Sequence, residues 1–195
     1  MKVKIEQISP DDLSLYASVS IAYEVRSVYR IEAIDDGLGG LALKEERVSP
    51  YLKDYDAQTD GDDRPTGWAR QFDLSQWGFF LAMDGERAAG GAAVVLNSPD
   101  IHMLENRSDL AVLWDIRVQP EYRGHGVGRK LFQQAVLWAR EQGCTQLKIE
   151  TQNVNIPACR FYARQGCHLG AILRYGYAGS PEVAHEAMLL WYLDL

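Results

Sequence analysis

The chain has 195 residues, the length of one compact domain whose core is large enough to fold without disulfide bonds. Apolar residues make up 47% of the sequence and charged residues 24%, and no apolar run approaches the length of a membrane span. Disordered, collagen-like and membrane-spanning classes are therefore excluded. Lys and Arg number 20 against 27 Asp and Glu, a formal net charge of −7, which argues against a nucleic-acid-binding face.

The cysteines and histidines follow neither a disulfide pattern nor a metal-site pattern. The three cysteines are odd in number and lack the Cys-x-x-Cys spacing of zinc sites, so we expect reduced thiols. The first residues turn acidic too soon for a secretory signal, and we expect a cytoplasmic protein. We also predict no bound metal, because no metal-ligand spacing relates the histidines His102, His125, His168 and His185.

Residues 1–76 give few clear predictions. Alternating apolar and polar residues over 3–8 predict a strand, and Ser9, Pro10 and two acidic residues then predict the start of a helix. Segments 25–34 and 41–48 mix charged with β-branched residues and predict no definite element. The acidic segment 53–63 predicts a surface loop, either simply solvated or able to attract a cationic substrate, and its acidic residues are Asp54, Asp56, Asp60, Asp62 and Asp63.

From residue 77 onwards the pattern is sharper. Segments 77–83 and 88–96 predict strands joined by a turn at Asp84-Gly85, and a polar loop follows over 97–108. Residues 110–118 are apolar on both faces, as in a central strand. The next segment predicts a helix that ends before Gly143, with an inner face of Val127, Leu131, Phe132, Ala135, Trp138 and Ala139.

The last third predicts a strand at 144–151, a helix at 157–165 and two further strands after residue 167. A strand, a helix and a strand in succession form a right-handed crossover, so strands 110–118 and 144–151 are expected to lie parallel in one sheet. The sequence thus predicts an α/β or α+β fold with a mixed sheet. We expect a single domain over 1–195.

The most informative stretch joins the central strand to the strong helix. It reads Arg123-Gly124-His125-Gly126-Val127-Gly128-Arg129, with glycines at every second position before a helix. Backbone amides of such a loop can approach a phosphate closely, and the positive end of the helix favours the anion. The dinucleotide fingerprint and the P-loop are both excluded, because Arg129 and Lys130 stand where those motifs need other residues.

The remaining pattern, Arg/Gln-x-x-Gly-x-Gly/Ala, is met by Arg123, Gly126 and Gly128, and here the sequence resembles the GNAT superfamily of N-acetyltransferases. Segment 155–167 is similar to that superfamily's Asn-x-x-Ala-x-x-Phe-Tyr-x-x-x-Gly-Phe motif, with Cys167 in place of the last Phe. Within the superfamily the chain is most similar to the streptothricin (nourseothricin) acetyltransferases, as judged from segments 28–31, 113–116, 149–155 and 184–188.

The resemblance implies a GNAT fold, with a mostly antiparallel sheet whose central parallel pair is splayed to hold acetyl-CoA as co-substrate. It also implies an acceptor-side region at 1–76, an acetyl-CoA-binding core at 77–167 and C-terminal strands at 168–195. The expected cofactor contacts are Ile116, Arg117, Val118, Arg123, Gly124, His125, Gly126, Val127, Gly128, Arg129, Asn155 and Ala158.

An alkyl ammonium must lose a proton before it attacks a thioester, so the reaction needs a base. Asp115 and Glu150 are the candidates, acting directly or through an ordered water. Each has the alternative of a structural ion pair with a neighbour such as Arg117 or Lys148. By resemblance, the amides of 116–118, where the family strand bulges, would stabilise the developing oxyanion, and Tyr162 would protonate the CoA thiolate.

Two neighbouring predictions concern helix 157–165. Phe161 is expected to pack in the core beside Tyr162, and Asn155 is expected to contact the pantetheine arm, to cap the helix, or both. No Gly-x-Ser-x-Gly element is present and no cysteine has an evident base, so direct transfer in a ternary complex is expected.

Acceptor recognition is assigned to Asp35, Trp114 and Tyr175, while Asp36 and Tyr177 are read as a turn residue and a buried aromatic. The expected acceptor is a small cationic amine, the β-lysine amine of streptothricin by resemblance. Another amine, such as a polyamine, a metabolite or a protein lysine, and a non-catalytic acyl-CoA sensor are the alternatives. No nucleic acid or membrane partner is expected, and a homodimer is left open.

Overall fold

Residues 2–58, 61 and 63–195 are described by a computed structural model. The strands are β1 (Lys4–Ile8), β2 (Tyr23–Ala33), β3 (Leu41–Lys53), β4 (Trp77–Asp84), β5 (Arg87–Val95), β6 (Leu110–Val118), β7 (Gln146–Gln152), β8 (His168–Leu173) and β9 (Met188–Asp194). The helices are α1 (Leu13–Ala17), α2 (Tyr55–Gln58), α3 (Trp68–Gln71), α4 (Val127–Glu141) and α5 (Ile156–Arg164).

The described residues form two compact units that interleave along the sequence. The first unit takes in 2–23, 54–148 and 194–195, and the second takes in 24–53 and 149–193. The predicted division at residues 76 and 167 does not coincide with these boundaries. The single-domain assignment stays a prediction.

Strands of the first unit lie in the order β1, β4, β5, β6 and then the start of β7. The first four pair antiparallel, as in Phe79 opposite Ala93 and Ala92 opposite Ile116. The predicted hairpin turn between β4 and β5 is confirmed, with Gly85 at φ 63°. In the described part of the chain, β6 and β7 form the one parallel pair, joined through α4 as the crossover rule requires.

Helix α4 packs on this sheet with the inner face that its sequence predicts. Its buried residues are Val127, Leu131, Phe132, Ala135, Trp138 and Ala139. The helix approaches β4 so closely that a Cβ added to Gly78 would lie 2.8 Å from the ring of Trp138. Gly143, at φ 82°, follows the helix end and takes the left-handed conformation that stops it.

Two loops of the first unit carry more structure than the sequence predicts. The segment 97–108 was expected to be polar, yet it buries Ile101 and Leu104 against the aromatic core around Trp77. The acidic segment 53–63 was expected to be a surface loop, and that expectation is wrong for part of it. Lys53 is buried at the end of β3, and Asp56 in α2 pairs with Arg117, while Asp60 and Asp62 lie outside the described residues.

In the second unit, the remainder of β7 is followed by β9 and β8, and β2 and β3 form a separate two-stranded sheet. No definite element was predicted at β2 and β3, because most of their side chains are exposed or half-buried and no apolar face alternates. Charged cross-strand pairs join the two strands instead, among them Arg30 with Glu46 and Lys44 with Glu32.

Helix α5 and the last strands are as predicted. Asn155 is the capping residue directly before α5, and Gly166, at φ 90°, follows the helix end. Among the described residues, no helix is both long enough and apolar enough to cross a membrane.

Candidate acetyl-CoA site

The glycine loop of the first unit has the geometry expected of an anion cradle. Helix α4 begins directly after Gly126, which has φ 83°, and Gly124 has φ 77°. A Cβ added to either glycine would meet open space, so the left-handed backbone and not crowding explains the choice of residue. The first amides of an α-helix have no intrahelical acceptor, and no side chain in the described part of the chain caps them here. These amides can therefore hold a pyrophosphate.

Arg123 fastens this loop to the rest of the first unit. Its Nε donates to the Val118 carbonyl at 2.8 Å, and its NH2 donates to the Ala22 carbonyl at 2.7 Å. Burial lowers the pKa of Arg123, although the charge of Glu121 opposes that effect. The Arg123 guanidinium, which was expected to face a phosphate, thus donates to two backbone carbonyls. In the structure it holds the loop in place.

Asp115 lies in a buried network of β6 and not in an open cleft. Its carboxylate accepts from Arg117 at 2.9 and 2.8 Å, and Oδ1 also accepts from the Tyr16 hydroxyl at 2.6 Å. Arg117 in turn donates to Asp56 at 2.8 Å and to the Val19 carbonyl at 3.2 Å. The structure therefore realises the ion-pair alternative for Asp115, and the base assignment loses its support.

The electrostatics of this network agree with that reading. Burial opposes the positive charge of Arg117, but the Asp115 charge outweighs it and raises the pKa of the guanidinium. Burial and the charge of Asp115 together raise the pKa of the Tyr16 hydroxyl well above its ordinary value. Tyr16 is thus a hydrogen-bond donor to a carboxylate whose oxygens are already engaged.

The predicted bulge in β6 lies earlier than expected. Against β5, the register shifts between Leu113 and Asp115, so Trp114 is the extra residue. Residues 116–118 pair regularly with β5. The oxyanion role of their amides stays a prediction. Trp114 itself packs edge-on against Trp77 at 5.4 Å and Phe72 at 5.5 Å, which places this predicted acceptor residue in an aromatic cluster.

In the second unit, Glu150 lies on β7 with a different environment from Asp115. Its Oε1 accepts from the Tyr177 hydroxyl at 2.6 Å, and Gln152 donates to that same hydroxyl at 3.0 Å. Lys148, the other partner considered for Glu150, donates to Glu105 at 2.6 Å in the first unit. Glu150 is half-buried, which leaves it the stronger of the two base candidates.

Helix α5 carries the predicted acid. Asn155 caps the helix, because its Oδ1 accepts from the Ala158 amide at 3.1 Å. Tyr162 is 4% exposed, whereas Phe161 is half-buried, so the expectation that Phe161 would be the packed residue is wrong. The two rings meet edge-on at 5.3 Å. The capping alternative for Asn155 is thus realised, and a pantetheine contact stays a prediction for Asn155 and Ala158.

The other predicted acceptor residues of the second unit are exposed. Asp35, at φ 49°, lies with Asp36 in the turn between β2 and β3. Tyr175 is 78% exposed, and the Arg174 guanidinium lies 5.8 Å from its ring centroid. The aromatic residue that the structure brings to Glu150 is Tyr177, whose hydroxyl donates to its carboxylate.

Sequence reasoning missed one buried charged pair in the second unit. Lys53, at the end of β3, donates to Oε1 of Glu186, and both side chains are at most 3% exposed. The sequence contained a signal for Glu186, because this residue lies in segment 184–188, one of the segments similar to the streptothricin acetyltransferases. Among the described residues, no three His, Cys, Asp or Glu side chains are placed to hold a metal ion, and the absence of a metal stays a prediction.

Comparison with known proteins identifies the family. The Acetyltransferase (GNAT) family matches residues 42–167, which include the glycine loop and the α5 motif. The chain belongs to the GNAT acetyltransferase family. It is thus an acetyl-CoA-dependent N-acetyltransferase, and the mixed, mostly antiparallel sheet with one parallel pair in the described residues is that of the family.

Individual relatives narrow the resemblance within GNAT. Streptothricin acetyltransferase of Escherichia coli is 30% identical over 95% of this chain and 92% of its own length. Streptothricin acetyltransferase A of Bacillus subtilis is 32% identical over 83% of each chain. The crystal structure of a nourseothricin acetyltransferase superposes with a TM-score of 0.77 at 26% identity, covering 100% of this chain and 99% of that one.

Proposed function

We propose that this GNAT enzyme acetylates streptothricin, a cationic antibiotic, at its β-lysine amine and thereby confers resistance. The observation that carries the proposal is the similarity to streptothricin acetyltransferase of Escherichia coli, which extends over 95% of the chain and includes the acceptor-side segments. The formal net charge of −7 supports an acceptor that is a cation.

Phosphate binding is assigned to the start of α4. The amides after Gly126 hold the pyrophosphate of acetyl-CoA, and the helix end adds a favourable positive potential. Arg123 fixes the loop through the carbonyls of Val118 and Ala22, so the amides are in position before the cofactor arrives. This preorganisation lowers the cost of binding.

Proton removal from the acceptor is assigned to Glu150. A primary ammonium has a pKa of about 10, so little of it is a free amine at neutral pH. The Tyr177 hydroxyl donates to Glu150 and orients its carboxylate. The nitrogen lone pair then attacks the thioester carbonyl carbon, and the electrons of the C=O double bond move to the oxygen, whose charge the amides of 116–118 stabilise.

Collapse of this intermediate breaks the carbon–sulfur bond and releases the CoA thiolate. Tyr162 donates its hydroxyl proton to that sulfur, and the proton that the nitrogen loses as the amide forms restores the Tyr162 hydroxyl through solvent. Glu150 releases to solvent the proton that it took from the ammonium. The products are the acetylated amine and CoA with a free thiol. No acyl-enzyme forms in this scheme, so both substrates are bound when the acetyl group moves.

Two experiments test the proposal. Expression of the protein in a streptothricin-sensitive bacterium is expected to raise the tolerated concentration of the antibiotic, and expression of the Tyr162→Phe variant is the matched control. Mass spectrometry of the product is expected to find one acetyl group on the β-lysine portion. Acetylation of spermidine or lysine without acetylation of streptothricin would refute streptothricin as the acceptor and leave the proposed acetyl transfer to an amine in place.

Glu150→Gln tests the base directly. It keeps the size of the side chain and removes the charge, so turnover is expected to fall by about 100-fold or more. The loss should shrink as pH rises, because more of the acceptor is then already deprotonated. A Glu150→Gln enzyme with the same pH profile as the wild type would remove Glu150 from the mechanism.

A further inference from the structure

The Lys53–Glu186 pair contains a carboxylate oxygen that the protein leaves unused. Glu186 is 2% exposed, and its Oε1 accepts from the Lys53 ammonium. Its Oε2 is buried and has no hydrogen-bond partner among the residues that the structure describes. An ionised oxygen in this situation is costly, and native proteins satisfy nearly all such atoms.

The backbone around Glu186 is fixed in place by Asn153. The Asn153 side chain accepts from the Ala187 amide at 2.8 Å and donates to the Tyr29 carbonyl at 2.9 Å. The Glu186 amide itself donates to the Val183 carbonyl at 2.8 Å. The carboxylate therefore stands on a rigid segment, as a preorganised binding group should.

The residues on the β3 side of the pair are the accessible ones. Tyr51 is 40% exposed and Leu52 is 68% exposed, although Lys53 after them is buried. Burial, and after it the charge of Glu186, raises the pKa of the Tyr51 hydroxyl. On the other side, His185 Nε2 lies 3.9 Å from Oε1. Because Oε2 is itself buried, a ligand reaches it only when the side chains around it move.

The group that Glu186 already holds indicates which ligand would suit it. Lys53 presents a primary alkyl ammonium on a flexible four-carbon stem, with three donors and one positive charge. The amine end of a β-lysine or lysine-like acceptor is the same chemical group. A carboxylate has about four lone-pair sites, so Oε2 can accept a second ammonium while Oε1 keeps the first.

We propose that Glu186 is a specificity-determining residue that binds the acceptor, with Oε2 accepting a hydrogen bond from an alkyl ammonium of the substrate while Lys53 holds Oε1. This inference rests on the proposed function in that it needs a cationic amine as acceptor. Glu186 is a binding group here, and the proton transfer stays with Glu150.

Steady-state kinetics of Glu186→Gln test the proposal. Loss of a hydrogen bond to a charged group is expected to raise the KM for the acceptor by about 10-fold to 100-fold. The KM for acetyl-CoA is expected to stay unchanged, and kcat to change little. Glu105→Gln is the matched control, because it also removes the carboxylate from a buried lysine, Lys148, in the first unit.

Lys53→Met separates binding from a merely structural role. This variant leaves the Glu186 carboxylate buried without the Lys53 cation, so we expect its melting temperature to be lower than that of the wild type. Addition of the acceptor is expected to raise the melting temperature of the variant by more than it raises that of the wild type. The double variant Lys53→Met with Glu186→Gln removes both charges, and we expect it to regain stability and yet show the raised acceptor KM. It also replaces Glu186→Gln if that single variant does not fold.

The outcomes distinguish the two proposals. If the wild type does not acetylate streptothricin, the proposed substrate is refuted. The acceptor KM of the variants is then measured with whichever amine the enzyme acetylates. An unchanged acceptor KM in the double variant overturns the role of Glu186, whatever the acceptor is. If no amine is acetylated and none stabilises Lys53→Met more than the wild type, both proposals fail.

Discussion

Asp115→Asn distinguishes a structural carboxylate from a catalytic base. In the wild type both Asp115 oxygens accept from Arg117, and Oδ1 accepts from Tyr16 as well. Asparagine offers one oxygen, so its amide NH2 group would face an Arg117 donor in a buried place. Breaking a buried pair costs about 3–5 kcal/mol, and we expect about 3 kcal/mol because Asp56 still pairs with Arg117.

For a chain of this length, 3 kcal/mol corresponds to a fall of about 6–12 °C in melting temperature. Turnover per folded enzyme is expected to fall by less than about 10-fold, because a true general base contributes about 100-fold to 10,000-fold. Thermal unfolding followed by circular dichroism gives the first quantity, and CoA release measured well below the melting temperature gives the second.

Asp56→Asn is the matched control for this variant. Asp56 is 26% exposed, so its pair with Arg117 is partly solvated, and we expect a loss of only about 1 kcal/mol. A near-normal melting temperature for Asp115→Asn, combined with a loss of turnover of about 100-fold or more, would refute the structural reading. Asp115 would then return as the base.

The other predictions concern the acid, the phosphate loop and the thiols. Tyr162→Phe should lower kcat by about 100-fold with little change in the KM for acetyl-CoA, and unchanged turnover would remove Tyr162 from the mechanism. Gly126→Ala forces a left-handed residue that costs about 1–2 kcal/mol, so titration calorimetry should find weaker acetyl-CoA binding; equal affinity would argue against the loop. Burial raises the pKa of Cys167 to about 11, so iodoacetamide at pH 8 should label it slowly in the native enzyme and quickly in urea, whereas fast native labelling would contradict its burial.

The sequence predicted the elements in which one physical signal dominates. Helix α4 was predicted residue by residue because its six buried positions follow the helical period, and β6 because it is apolar on both faces. The glycine motif of the GNAT family depends on local backbone conformation, such as the positive φ of Gly126. Because a positive φ favours glycine, the residue type itself indicates that conformation.

The sequence could not predict partners that lie far apart along the chain. Lys53 and Glu186 are separated by 133 residues, and Tyr16 and Asp115 by 99, so no local sequence pattern predicts either contact. The strands β2 and β3 were missed for a related reason. Most of their side chains are exposed or half-buried, and charged pairs lie across the two strands, so no apolar alternation marks them.

The central claim is that this protein transfers an acetyl group from acetyl-CoA to streptothricin. The most direct test mixes the purified protein with both compounds and follows the release of the CoA thiol, with spermidine and lysine as parallel acceptors. We expect fast release of the CoA thiol with streptothricin and much slower release with the other two acceptors. No release with streptothricin at any concentration, together with release from another amine, would contradict it.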